Sequence, residues 1–189
     1  MSLALEKSLS GALGRALCLE ITEVPPGHPD RRQCEWLAAR DALGRVFRRL
    51  SESSDPTSIR FPNPRFSLSH TTHTAVAVGV ERGQGIGVDV EEGHPVDPRA
   101  ARFFLSPDEM RQDISKIDLL RLWTVKEALF KADPDNRGRG LCDYVVDSPS
   151  HWEGLAAHPT GIRFAYATRP MAGGFLSIAF RYEPNGKEQ

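Results

Sequence analysis

Leu17, Leu19 and Ile21 alternate with Cys18, Glu20 and Thr22, a two-residue period that predicts a half-buried strand over 17–22. PPGHPD at 25–30 interrupts it, and Asp30 is placed to cap a helix reaching about Leu50. Trp36, Leu37, Leu43, Phe47 and Leu50 fall on one side of that helix. Residues 51–65 hold Ser, Pro, Asn and charges and read as a loop. The stretch from Phe66 to about Glu91 is strand-rich, and the glycines at 83–85 suggest a hairpin turn. Asp97-Pro98 opens a short helix, and Ser106-Pro107-Asp108-Glu109 joins a capping box to a proline at the first helical position. A longer helix fits 117–132, ended by DPDNRGRG, and short strands are expected near 142–147, 162–168 and 174–183. This order is an α+β layout of two roughly similar halves, an N-terminal lobe over 1–95 and a C-terminal lobe over 96–189.

Composition narrows the function classes. In 189 residues, 24 Lys and Arg face 25 Asp and Glu, which leaves no electrostatic footprint for general nucleic-acid binding. Apolar residues at 40% and charged residues at 26% are those of an ordinary folded globule. The three cysteines, Cys18, Cys34 and Cys142, are odd in number and lack a C-x-x-C pair, so neither a disulfide framework nor a zinc site is read from them. The start carries Glu6, Lys7 and Arg15 instead of an export pattern, and no 18-residue apolar run occurs. A cytoplasmic protein without a membrane partner is expected.

Three constellations carry candidate chemistry. In Gly87-Val88-Asp89-Val90-Glu91, strand alternation puts Asp89 and Glu91 on one face, with Cα atoms roughly 6.5–7 Å apart. Two carboxylates beside a glycine could hold a hard cation and leave room for a phosphate, or could be a solvated strand end. At 100° per residue, Leu119, Leu122, Trp123, Leu129 and Phe130 form one apolar arc of the long helix. Lys126 falls inside that arc, Glu127 on its border, and Lys131 one turn beyond Glu127. Glu127 and Lys131 suit an ordinary i,i+4 surface pair, but a lysine in an apolar arc must snorkel or find an anion, such as a phosphate. In Phe66-Ser67-Leu68-Ser69-His70-Thr71-Thr72-His73, hydroxyls sit beside imidazoles. No G-x-S-x-G elbow supports a hydrolase there, and His70 and His73, three apart on a strand, would point to opposite faces and share no metal.

Together, GVDVEE, LWTVKEALFKA and FSLSHT resemble the Sfp-type 4′-phosphopantetheinyl transferases, whose signatures read roughly G-(V/I)-D-(V/I)-E and W-x-x-K-E-A-x-x-K. RFFLSPDEM is similar to that family's F-x-x-x-E segment, and EWLAAR to the helix before its S-H pair. The likeness spans about residues 35–145, and the last 40 residues carry no distinctive motif. The resemblance implies two pseudo-symmetric α/β lobes in one chain, acting as a monomer, with coenzyme A bound between them and its pyrophosphate on Mg²⁺. It implies Asp89, Glu91 and Glu127 as metal ligands, with Asp89 thereby also among the coenzyme A contacts. Glu127 would be the general base, and Lys131 and Lys126 would hold phosphates. Ser69 and His70 match the S-H pair that contacts the 3′-phosphate, and Arg40 is a further candidate for that phosphate. The reaction implied is transfer of the phosphopantetheine arm to a serine of an apo acyl or peptidyl carrier protein, releasing 3′,5′-ADP. Where the family commonly has Lys/Arg-Pro, this chain reads Ile59-Arg60-Phe61-Pro62, and Gly44 stands where a second helix arginine is common.

Two other readings use the same residues. One is a Mg²⁺-dependent phosphohydrolase acting on coenzyme A or another nucleotide through an activated water. The other is a non-catalytic member that binds the carrier protein or coenzyme A, which would have no need of all three acids.

Overall fold

The computed structural model describes residues 2–27, 29–93 and 95–182. Its helices are α1 (Ser2–Leu13), α2 (Arg31–Arg49), α3 (Pro107–Met110) and α4 (Lys116–Lys131). Its strands are β1 (Cys18–Glu23), β2 (Phe66–His70), β3 (Thr74–Gly79), β4 (Ile86–Glu92), β5 (Val145–Val146), β6 (Glu153–Ala157), β7 (Arg163–Met171) and β8 (Gly174–Tyr182). They make a three-stranded sheet, β1-β3-β2, and a five-stranded sheet, β4-β8-β7-β6-β5, with every ladder antiparallel. The chain is α+β.

Local chemistry sets the helix starts. Asp30 Oδ1 accepts from the Gln33 amide at 3.0 Å to open α2. Ser106 and Glu109 complete the capping box reciprocally at α3, and Ser115 caps α4. α1 was not foreseen. Its Leu9 is fully buried, and Glu6 accepts the Leu19 amide at 2.8 Å while pairing with Arg49.

The two sheets share a core. Leu19, Val76 and Val78 of the small sheet pack with Ile86, Val88, Val90, Leu176 and Ile178 of the large one, and α1 covers the edge. α2 lies on the outer face of the small sheet through Ala42, Leu43, Val46 and Phe47. α4 lies on the outer face of the large sheet through Val125, Ala128, Leu129 and Ala132. Trp36 and Leu37, expected on the buried side of α2, are exposed, because Cys34, Ala38 and Ala39 take that side.

One expectation is corrected here. The turn at 83–85 does not join a hairpin; β2 and β3 form the hairpin, and β4 pairs with β8, Asp89 opposite Ser177. The D-x-E strand therefore belongs to the larger sheet with the C-terminal strands, not with the S-H strand. Beside β2, β4 presents an edge. Its Val88 and Val90 amides are met by side chains, Ser67 Oγ at 3.0 Å and Ser69 Oγ at 3.4 Å, so hydroxyls take the place of ladder carbonyls along this seam.

Candidate active site

Alternation along β4 sends Ile86, Val88 and Val90 into the shared core and Gly87, Asp89 and Glu91 toward α4. The helix backbone comes close there. A Cβ at Gly85 would lie 1.9 Å from the Ala132 carbonyl oxygen, and one at Gly87 would lie 1.9 Å from that of Ala128. The missing side chain at Gly87 thus admits the helix, not a phosphate as the sequence suggested.

The close approach brings the acids of β4 against the polar positions of α4. A cavity of about 270 Å³ is lined by Leu68, Ser69, His70, Asp89, Val90, Glu91, Trp123, Glu127 and Lys131. Asp89 is buried; its Oδ1 accepts from Ser69 Oγ at 2.9 Å and from Lys131 Nζ at 2.7 Å, and its Oδ2 has no partner. Glu91 Oε1 accepts from the Trp123 indole N–H at 2.9 Å, and the indole is held edge-on to Phe104 at 5.3 Å. Burial pushes the carboxyls of Asp89, Glu91 and Glu127 above the usual range, opposed at Asp89 and Glu127 mainly by the Lys131 ammonium and at Glu91 mainly by the indole bond. Each of the two glutamates is also raised by its neighbouring acids.

Three carboxylates and a bare, buried Oδ2 are a donor set suited to a hard divalent cation, which takes oxygen ligands. Among the described residues, no three His, Cys, Asp or Glu side chains already converge on one point. Asp89 is held by Lys131 and Ser69, and Glu91 by Trp123. The residues that could hold a cation are Asp89, Glu91 and Glu127.

Of the expected site residues, Ser69, His70, Asp89, Glu91, Glu127 and Lys131 line this one pocket. Lys126 does not. Fully buried on the other side of α4, its Nζ contacts both Glu109 oxygens at 2.7 Å and the Tyr144 carbonyl. A lysine in an apolar arc needed an anion, and the anion is Glu109, so its expected phosphate role is corrected to an internal ion pair. Arg40 is also placed elsewhere. Its guanidinium donates to the Pro56 carbonyl at 2.7 Å and sits 5.4 Å from both the Trp36 and Phe61 ring centroids. His70 Nδ1 lies 3.7 Å from Glu35 on α2, and His73 Nδ1 lies 3.4 Å from Glu92, so the two imidazoles have separate surroundings.

Sequence reasoning missed three contributors. Trp123 and Glu109 stand in segments that carry the family resemblance, but no pattern along the chain assigned Trp123 its Glu91 contact or Glu109 its Lys126 contact, and Ser67 carried no signal of its own.

A family model described as the 4′-phosphopantetheinyl transferase superfamily matches residues 85–168, which include β4 and α4 with most of this pocket. The chain is also similar to a Bacillus pumilus protein described as 4′-phosphopantetheinyl transferase psf-1, at 29% identity over 97 residues. That alignment covers 48% of this chain and 41% of the relative, so the chain matches less than half of the relative's length.

Proposed function

From the match of residues 85–168 to the 4′-phosphopantetheinyl transferase superfamily and the likeness to a relative of that name, we propose that the chain moves the 4′-phosphopantetheine arm of coenzyme A onto a serine of an apo acyl or peptidyl carrier protein. Mg²⁺ is the proposed cofactor, 3′,5′-ADP the product released, and the cytoplasm the compartment. The observation that carries this reading is the single pocket walled by Asp89, Glu91, Glu127 and Lys131, with Asp89 Oδ2 buried and unpartnered.

Mg²⁺, held by Asp89, Glu91 and Glu127, would neutralise charge on the coenzyme A pyrophosphate. The carrier serine oxygen bonds to the β-phosphorus as the bond from that phosphorus to the bridging oxygen breaks, and the adenosine side, keeping the bridging oxygen on its α-phosphate, departs as 3′,5′-ADP. Glu127 takes the serine proton. Burial makes this carboxylate a stronger base than one in water, which suits the task. Lys131, on the same wall, would exchange its bond to Asp89 for a phosphate oxygen, adding positive charge where the transition state spreads negative charge. Trp123 would orient Glu91 through its indole N–H.

We place the boundary between two lobes ahead of β4, following the sheets, so that the cleft runs along the β2–β4 seam and one chain supplies the whole pocket as a monomer. The test is to incubate the protein with coenzyme A, Mg²⁺ and several apo carrier proteins and measure intact carrier masses. Gain of one phosphopantetheine supports transfer. Cleavage of coenzyme A with no carrier modified would make it a phosphohydrolase, and binding without either reaction a non-catalytic member.

A further inference from the structure

The hydroxyl of Ser69 is fully committed. One hydroxyl has a single proton to give and two lone pairs to offer. The proton goes to Asp89 Oδ1 at 2.9 Å, and the lone pairs receive the Val90 amide at 3.4 Å and Lys131 Nζ at 3.2 Å. Ser69 is itself buried, with 7% of its surface exposed. An anionic oxygen arriving at this hydroxyl would need the one proton that Ser69 already donates to Asp89. His70, the next residue, also lines the pocket, but its Nδ1 lies 3.7 Å from Glu35 of α2 and it makes no bond to Asp89 among those described.

The consequence for Asp89 is asymmetric. Ser69 and Lys131 both act on Oδ1, which pins the carboxylate and leaves Oδ2 bare on the buried side. When a ligand draws Lys131 away, Ser69 is the group that still holds Oδ1. Its other bond, to Val90 of β4, ties the same hydroxyl to the strand that carries Asp89, so the acid and its support move together. Ser67 supplies an internal control. It makes the same kind of seam bond, to the Val88 amide at 3.0 Å, but none to Asp89.

We propose that Ser69 is a positioning residue that holds the Asp89 carboxylate with Oδ2 presented to a divalent cation, and that it is not a contact for a phosphate of coenzyme A. This rests on the transferase reading of the pocket.

The test separates cation binding from nucleotide binding without turnover. Mn²⁺ binding is followed by the electron paramagnetic resonance signal of the free ion, and 3′,5′-ADP binding by calorimetry in EDTA, with thermal melts confirming that each variant is folded. Ser69→Ala is expected to weaken Mn²⁺ binding about 10- to 100-fold, the usual effect of losing a group that orients a ligand, while 3′,5′-ADP binding in EDTA stays at the wild-type value. Ser69→Thr, which keeps the hydroxyl, should recover most of the Mn²⁺ affinity, and Ser67→Ala should keep it. If Ser69→Ala leaves Mn²⁺ binding intact and weakens 3′,5′-ADP binding, the residue is a phosphate contact and the proposal falls. Equal losses of Mn²⁺ affinity in Ser67→Ala and Ser69→Ala would also overturn it, since the seam alone would then matter. Failure of the wild-type protein to bind Mn²⁺ at all would instead remove the cation reading of the whole pocket.

Discussion

Lys131 Nζ stands 2.7 Å from Asp89 Oδ1, bridging the last turn of α4 to the middle of β4. Burial opposes the charge on Asp89, and the ammonium opposes the burial. Lys131→Met would leave the carboxylate without this cation. With the lysine side chain 29% exposed, the loss should stay below that of a fully buried pair, at about 1–3 kcal/mol. Added Mg²⁺ should restore part of it. Urea unfolding with and without Mg²⁺ measures both, and wild-type stability in the metal-free variant would show that the pair contributes nothing.

Trp123→Phe keeps an aromatic ring beside Phe104 and removes the N–H that Glu91 accepts. Transfer should slow by roughly 10-fold or more, as for other lost orienting groups, with stability changed by about 1 kcal/mol. An unchanged rate in the carrier-mass assay would mean that the indole does not position Glu91.

Lys126 and Glu109 form a buried ion pair that ties α4 to α3 and, through the Val146 amide at 2.8 Å, to β5. Lys126→Met alone should cost about 3–5 kcal/mol, since Glu109 would remain buried without its partner, whereas Lys126→Met with Glu109→Gln, which removes the charge and keeps an acceptor oxygen for the Ser106 and Val146 amides, should regain part of that loss. Chemical denaturation of the single and double variants forms the cycle. A phosphate-binding lysine would instead leave stability unchanged and raise the KM for coenzyme A.

Gly87→Ala introduces a carbon 1.9 Å from the Ala128 oxygen and 2.6 Å from the Ala132 nitrogen. Backbone cannot yield as a side chain does, so α4 must lift from β4. We expect a loss of about 3 kcal/mol or more, at the upper end of overpacking costs, together with loss of transfer. A melting temperature equal to that of the wild type would contradict the close approach.

His158 is buried against Tyr144, and burial, reinforced by Arg139, holds its imidazole below the ordinary 6.5. The unfolded chain therefore binds this proton more readily than the folded one. The stability tied to the neutral ring is present above 6.5 and is lost as pH falls through that value toward the lower folded one, by about 1.4 kcal/mol for each unit of depression. Unfolding measured from pH 8 to pH 5 should show this decline, and His158→Asn should flatten it. The same slope in both proteins would assign the decline to other groups.

What could be read from the residues was mostly local. Asp30, Ser106 with Glu109, and the 3.6-residue arc of α4 each act within a turn or two, and each element appears where expected. The acids and Lys131 were legible because chain spacing alone puts Asp89 with Glu91, and Glu127 with Lys131. Non-local choices were not. Ile86 pairs with Phe180, and nothing in the local pattern distinguishes that from a hairpin with β3. Lys126 had an unmistakable need for an anion, but Glu109 lies 17 residues away and its burial shows only in three dimensions. α1 escaped because the charged Glu6 shares the buried side with Leu5, Leu9, Ala12 and Leu13, and its place is set by packing on β1 and β7.

Gly85 faces the Ala132 carbonyl as Gly87 faces that of Ala128, so two residues of strand advance in step with four of helix. The lengths agree: about 6.6 Å for two strand residues and about 6 Å for four helical ones. Strand and helix are thus two scales with nearly the same graduation, laid against each other in opposite directions. The acids at 89 and 91 and the polar positions at 123, 127 and 131 are marks on those scales. One residue inserted between 85 and 91, or between 123 and 132, would displace every facing pair together. The spacing of the two motifs is therefore constrained as strictly as the residues in them.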